Sequence, residues 1–199
     1  MLNIMVTGVG GQGTVLAAKI LARAFQEKGR HVRTAETIGM SQRGGSVVSH
    51  VRMADEGAKV HSPLIPRGCA DCIIAFEPAE GLRALPYLKQ GGLLVTASTA
   101  IQPVAAAISG QAYTTESAIG LVRAYAPGAV IVDEAPLLDG IGSKKALNVV
   151  LLTAAQRAGA LGISVAELKE AVAACVKPRF VDMNLSAVDA LQSERFSVQ

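Results

Sequence analysis

The feature that most constrains this chain is a run of glycines set between an apolar strand and an amphipathic helix. Residues 2–7 read as a short strand, Gly8-Val9-Gly10-Gly11-Gln12-Gly13 follows at once, and residues 14–28 carry helical periodicity until Gly29 ends it. In that helix Val15, Leu16, Ile20, Leu21 and Phe25 form the apolar stripe. His31 to Glu36 then reads as a second strand, which makes a βαβ unit with an expected right-handed crossover. Gly8, Gly10 and Gly13 fit G-x-G-x-x-G, which gives a tight turn, close backbone approach and helix-terminal amides that favour an anion. Glu36 stands where a ribose-binding acid would be expected. The same glycines would also serve to pack the helix on the sheet or to admit another protein. A complete dinucleotide fold needs a second mononucleotide half, and the next segment interrupts that pattern.

That segment is Gly39-Met40-Ser41-Gln42-Arg43-Gly44-Gly45-Ser46, followed by alternation in which Val47, Ser49, Val51 and Met53 share one face. With a turn at Ala54–Gly57 and a return strand at Lys59–Ser62, residues 46–62 are expected to form a β-hairpin inserted into an α/β chain. Further strands are expected at 72–77, 93–97 and 130–132. Helices are expected after Pro78, over 116–126, over 144–158 from a Ser143 cap, from the Ser164-Val165-Ala166-Glu167 capping box to Cys175, and over 182–191. Residues 101–115 have no clear period. The expected fold is α/β, Rossmann-like, with a mostly parallel sheet and the inserted hairpin, residues 1–199 forming a single domain.

Composition narrows the function classes. The formal charge is +3, from 19 basic and 16 acidic residues scattered along the chain, which is no nucleic-acid footprint. There is no Trp, with only 3 Tyr and 4 Phe, so base-stacking platforms are not expected either. No apolar run approaches a membrane span, no secretory leader is evident at Met1–Val6, and 3 cysteines agree with a reducing compartment. A cytoplasmic protein that touches neither membrane nor nucleic acid is expected. The mean hydropathy of +0.37 is high for so few charges and suggests that a partner subunit covers some apolar surface.

Among individual residues, Arg43 is the leading functional candidate, a guanidinium on a glycine-flanked loop suited to a carboxylate or phosphate; its alternative is a salt bridge. Ser41 and Ser46 would hydrogen-bond the same ligand or cap turns. His50 is read first as a hydrogen-bonded structural histidine and second as a proton shuttle. Glu77 stands where the carboxyl ends of parallel strands meet a ligand crevice, or else favours the start of the next helix. Asn148 needs hydrogen-bond partners, from backbone or ligand. Lys177 and Arg179 flank Pro178 and would either bind a coenzyme phosphate or form a solvated turn. Cys69-Ala70-Asp71-Cys72 is a C-x-x-C, but a cluster takes four thiolates and these two read as small fillers. No metal-ligand spacing is present, so no metal site is expected.

The glycine loop, Ala35-Glu36, the block Gly39 to Arg52, Ser62-Pro63-Leu64-Ile65-Pro66, Ala75-Phe76-Glu77-Pro78, Asn148 and the run Lys177 to Leu185 together resemble the gamma-type subunit of the 2-oxoacid:ferredoxin oxidoreductases. They look closest to the small (beta) subunit of the indolepyruvate:ferredoxin enzymes. The resemblance covers about residues 3–190, and the Met40-to-Ser46 block is its most specific part. It implies ferredoxin- and coenzyme A-dependent oxidative decarboxylation of an arylpyruvate by a complex. Thiamine diphosphate and iron–sulfur clusters would lie on a large (alpha) partner subunit, this chain would hold no cofactor alone except possible contact with coenzyme A, and ferredoxin would accept the electrons. The site residues implied are Gly8, Gly10, Gly11, Gln12 and Gly13 with Ser41, Gln42, Arg43, Gly44, Gly45 and Ser46. The same subunit role in a pyruvate, 2-oxoglutarate or branched-chain enzyme, and a free-standing nucleotide-binding regulator, are the alternatives.

Overall fold

Strand β1 (Leu2–Val9) lies inside the sheet because both of its faces are apolar. Ile4 and Val6 point to one side and Met5 to the other, each at most 1% exposed. Around it the computed structural model describes residues 1–38, 45–102 and 113–193. The other strands are β2 (Val32–Ile38), β3 (Ser46–Met53), β4 (Ala70–Ala75), β5 (Leu88–Ala97) and β6 (Val130–Val132), in the order β2-β3-β1-β4-β5-β6. The pairs β1–β4, β4–β5 and β5–β6 are parallel, and β3 alone runs against its neighbours. A mostly parallel sheet results.

The helices are α1 (Thr14–Glu27), α2 (Pro78–Ala84), α3 (Thr115–Tyr125), α4 (Glu134–Ile141), α5 (Leu147–Arg157), α6 (Val165–Cys175) and α7 (Val181–Ser193). On one face Ile4, Val6, Cys72 and Ile74 pack with Ile20, Leu21 and Phe25 of α1, Leu151 of α5, Leu168 of α6 and Val188 of α7. On the other, Met5, Ile73 and Leu94 meet Ala84 of α2 and Val122 of α3. Each fully buried Leu, Ile or Phe contributes about 1.5–3 kcal/mol of transfer free energy.

Several expectations change. Strands β1 and β2 are not neighbours: each pairs antiparallel with β3, which lies between them. The βαβ unit is therefore split, and the hairpin is made by β2 and β3. Lys59–Ser62 is no strand. Val60 is 2% exposed and its N–H donates to His31 Nδ1 at 3.1 Å, so a single buried residue on an irregular segment mimics alternation there. Helix α4 is additional to those expected. Val15 is 42% exposed, because α1 buries the face of Thr14, Ala17, Ala18, Leu21, Ala24 and Phe25 instead. The capping box at Ser164 and Glu167 is present as expected, and Glu77 caps α2 with Pro78 in its first turn.

Candidate functional site

The carboxyl ends of the parallel strands meet at the glycine loop, and its glycines do different things. A Cβ on Gly8 would lie 2.8 Å from Phe76 Cβ and 2.9 Å from Thr14 Cγ2, so Gly8 is required by packing. Gly11 and Gly13 hold φ values of +100° and +91°, a region that L side chains disfavour, and around Gly11 there is open space. Gln12 is turned inward. Its Oε1 accepts from Val9 N–H at 2.7 Å and its Nε2 donates to the Phe76 carbonyl at 2.9 Å, tying the ends of β1 and β4 together. Glu36 sits on β2, two strands from β1 and on the order of 10 Å away. That spacing removes the ribose role.

Gly45 and Ser46, the last residues of the second expected loop, lie against the first. Gly10 N–H donates to the Gly45 carbonyl at 2.9 Å, and Ser46 pairs with Val9 in the sheet. Ser46 Oγ donates to Glu80 Oε2 at 2.6 Å, and Glu80 also holds Arg83. Ser41, Gln42, Arg43 and Gly44 lie outside the described residues.

Two buried carboxylates organise this strand edge, and only one was foreseen. Glu77 accepts from Glu80 N–H at 3.1 Å, from Ile101 N–H at 3.3 Å and from the Tyr113 hydroxyl, and it is 2% exposed. Burial, and then the Glu77 carboxylate, raise the pKa of the Tyr113 phenol well above its ordinary value. Glu134, 3% exposed, accepts from Ser98 N–H at 2.8 Å, Ser98 Oγ at 3.1 Å and Thr99 N–H at 3.2 Å. A Glu two residues past the end of a strand, the place that Glu77 takes after β4, is the signal that could have found it. Both carboxylates are oriented by hydrogen bonds within the fold, so their evident work is to fix the loops after β4 and β5.

His50 behaves as a structural residue. Its Nδ1 accepts from Ile65 N–H at 3.2 Å, its ring meets Tyr87 edge-on, and burial followed by the nearby Arg52 charge lowers its pKa. Cys69 is exposed, while Cys72 is buried in β4 with its thiol pushed up to about 12. That pair does not suit a thiolate cluster.

Two clefts open beside the glycine loop, and they differ in charge. One of about 610 Å³ is balanced, with Glu134 and Asp139 facing Lys144 and Lys145 beside Gly11 and Gln12. A second, of about 540 Å³, shares Gly11, Gln12 and Lys145 and adds Asn148, Lys177 and Arg179. Lys145 was not singled out in the sequence, because it reads there as one more residue of a helix. On the other face a smaller cavity of about 310 Å³ lies by Ser46, His50, Arg67 and Glu80.

Comparison with known proteins decides the family. The family described as pyruvate ferredoxin/flavodoxin oxidoreductase matches residues 3–191. The chain belongs to the pyruvate ferredoxin/flavodoxin oxidoreductase family. Within it, the chain is 38% identical over 188 residues to the indolepyruvate oxidoreductase subunit IorB of Archaeoglobus fulgidus, covering 94% of this chain and 92% of the relative. It is 38% identical over 189 residues to the IorB of Pyrococcus horikoshii, with the same coverage of each. The common gamma subunit of the pyruvate/ketoisovalerate oxidoreductases of Thermococcus kodakarensis is 29% identical over 48% of this chain and 51% of its own. The fold recurs in pyruvate oxidoreductase subunit PORC of Thermotoga maritima, with a TM-score of 0.70 at 18% identity over 97% and 96% of the two chains. It recurs again in the 2-oxoglutarate:ferredoxin oxidoreductase of Magnetococcus marinus, solved with coenzyme A bound, with a TM-score of 0.69 at 20% identity over 96% of this chain and 30% of that one. Relatives in this family are named as subunits. Among the described residues no helix is long and apolar enough to cross a membrane.

Proposed function

We propose that this chain is the small subunit of an indolepyruvate-type 2-oxoacid:ferredoxin oxidoreductase. The complex would break the bond between the carboxylate and the oxo carbon of an arylpyruvate, release carbon dioxide, join the acyl group to coenzyme A and pass the electron pair to ferredoxin. The observation that carries the reading is identity running over 94% of the chain with proteins named for indolepyruvate, against 48% with the pyruvate/ketoisovalerate subunit. In this reading thiamine diphosphate and the iron–sulfur clusters belong to a larger partner subunit. The chain forms a single domain, is incomplete as an enzyme alone, and works in the cytoplasm.

The site residues are part of the same proposal. Gly8, Gly10, Gly11, Gln12 and Gly13, with Ser41, Gln42, Arg43, Gly44, Gly45 and Ser46, are the residues assigned to contact with coenzyme A or the partner. The Gly10–Gly45 hydrogen bond supports grouping the two sets at Gly45. The basic cleft of about 540 Å³ beside Gly11 would accommodate a coenzyme carrying phosphates. Coenzyme A would be held there by charge and by backbone amides, and it supplies the thiol that accepts the acyl group.

The test is ferredoxin reduction by the assembled complex with coenzyme A and, in turn, indolepyruvate, pyruvate, 2-oxoglutarate and a branched-chain oxoacid. The arylpyruvate should show the highest kcat/KM. A higher value for any of the others would replace the substrate assignment. Arg43→Ala should leave assembly intact and lower turnover, whereas unchanged turnover would leave that loop with an architectural role.

A further inference from the structure

Helix α2 packs on β1, β4 and β5. Toward β3 and β2 a cavity of about 310 Å³ opens beside it, with Glu80, Arg83 and Ala84 of the helix in its wall. Its floor follows from strand register. Thr7 and Thr37 both pair with Val48, and Met5 pairs with His50, so these side chains share one face of the sheet. Thr7 and His50 are diagonal neighbours on that face, close enough for one small group to reach both. The cavity lies on the face opposite α1, away from the clefts beside Gly11.

The floor carries two polar groups without partners. His50 is 6% exposed and does its structural work with Nδ1 alone, which accepts from Ile65 N–H at 3.2 Å. The ring proton of the neutral imidazole therefore sits on Nε2. That nitrogen donates to no atom among the described residues. The hydroxyl of Thr7, a residue 1% exposed, is likewise without a partner among them. Neither atom is sealed in the core. Among the described residues, the side-chain polar atom that is both sealed and unpaired is Ser49 Oγ, on the opposite face. The free atoms of His50 and Thr7 thus open on the cavity that both residues line. Buried polar groups are normally hydrogen-bonded, so two open donors on one floor mark a place for an acceptor.

The walls supply charge. Glu80 is buried and already committed, accepting from Ser46 Oγ at 2.6 Å and pairing with Arg83. Arg67, by contrast, enters no ion pair or hydrogen bond among the described residues. The segment that bears it is fixed on both sides. Ile65 N–H is held by His50, and Gly68 N–H donates to the Pro86 carbonyl at 3.0 Å. His50 adds no charge, because burial and then the Arg52 guanidinium lower its pKa. One guanidinium therefore stands uncompensated at this cavity. Met5, Val48, Ala84 and Tyr87 supply its apolar part.

We propose that the cavity binds a small organic monocarboxylate with an apolar body. The carboxylate accepts from the Thr7 hydroxyl and His50 Nε2–H and faces Arg67, while the body lies against Met5, Val48 and Ala84. A phosphate would bring a second negative charge toward the buried Glu80 carboxylate. A cation would meet Arg67, with the Glu80 oxygens already taken. The volume of about 310 Å³ is at the lower end for ligand pockets, enough for an acid with one ring. This site does not rest on the function proposed above.

The experiment titrates the full chain by calorimetry with phenylacetate, its neutral counterpart phenylacetamide and the cation phenethylamine. Arg67→Ala and Thr7→Val variants are run beside the native chain. Phenylacetate should bind, the amide at least about tenfold more weakly and the amine not at all. Each variant should weaken phenylacetate at least about tenfold, as loss of a charge-assisted hydrogen bond requires. Neither should lower the melting temperature, since Arg67 is exposed and the Thr7 hydroxyl has no partner to lose. Coenzyme A should not displace phenylacetate. Absence of phenylacetate binding overturns the site and leaves the cavity to water. Equal binding of the three compounds, or unchanged affinity in both variants, overturns the carboxylate assignment. Displacement by coenzyme A would move the acid to the clefts beside Gly11 and overturn this location. None of these outcomes bears on indolepyruvate turnover by the complex, so the two proposals stand or fall separately.

Discussion

Gly8→Ala separates two roles for the glycine loop, because its effect on the fold can be worked out. The added Cβ would lie 2.8 Å from Phe76 Cβ, 2.8 Å from Gln12 Oε1 and 2.9 Å from Thr14 Cγ2. Carbon atoms in contact prefer about 3.5–4.0 Å. Phe76 and Thr14 are buried, at 1% and 3% exposure, so neither yields without moving the end of β1 or the start of α1. Gln12 can swing away only by releasing Val9 N–H and the Phe76 carbonyl. Overpacking costs about 1–3 kcal/mol and each of the two lost hydrogen bonds about 1 kcal/mol, giving roughly 3–5 kcal/mol in all. For a chain of this size that lowers Tm by about 6–20 °C. The assay is thermal melting followed by circular dichroism, with a urea titration as a check. A Tm within about 1 °C of native, accompanied by loss of ligand or partner binding, would refute the packing argument and return Gly8 to direct contact.

Other outcomes follow from the same structure. Gly120 lies within α3 with no atom near its would-be Cβ, so Gly120→Ala should stabilise the chain by about 0.5–1 kcal/mol in urea denaturation; destabilisation would mean that the helix surface is covered. Tyr113 donates to Glu77 and its pKa is raised, so in an absorbance titration one phenol should remain un-ionised near pH 10, and Tyr113→Phe should remove that late-titrating group. His50 has a lowered pKa, so the unfolded chain takes up this proton first as pH falls. Its contribution to stability is complete above the unfolded value of about 6.5 and is lost as pH falls from there toward the folded value. Unfolding measured between pH 5 and 7 should show that loss, and His50→Gln should flatten it; an unchanged slope would assign the effect to other groups.

Much of the fold could be read from local chemistry. Strand β1, helix α1, the cap at Ser164 and the proline start of α2 each depend on residues within a few positions of one another. What was hidden depends on longer-range pairing or on ambiguous local cues. Nothing in Ser46–Met53 says that it will lie between β1 and β2, because both of its edges find a strand and alternation does not name the partner. Helix α4 contains Pro136 and Gly140, both of which read as breakers. Pro136 falls in the first turn, where its missing N–H costs nothing. The site was legible in part. The glycine loop, Asn148, Lys177 and Arg179 stood out by type and position, but Gln12 proved to be a clamp within the fold. Lys145 joined the cleft only through the docking of the Pro178–Phe180 turn against the start of α5.

Reconstitution with one component omitted tests the central claim most directly. The large partner subunit, carrying its cofactors, is assayed for indolepyruvate-dependent ferredoxin reduction with coenzyme A, with and without this chain added in equimolar amount. The account predicts that neither protein is active alone, that the two co-elute as one complex, and that mixing restores turnover. Full activity of the large subunit without this chain, or failure of the two to associate, would contradict it.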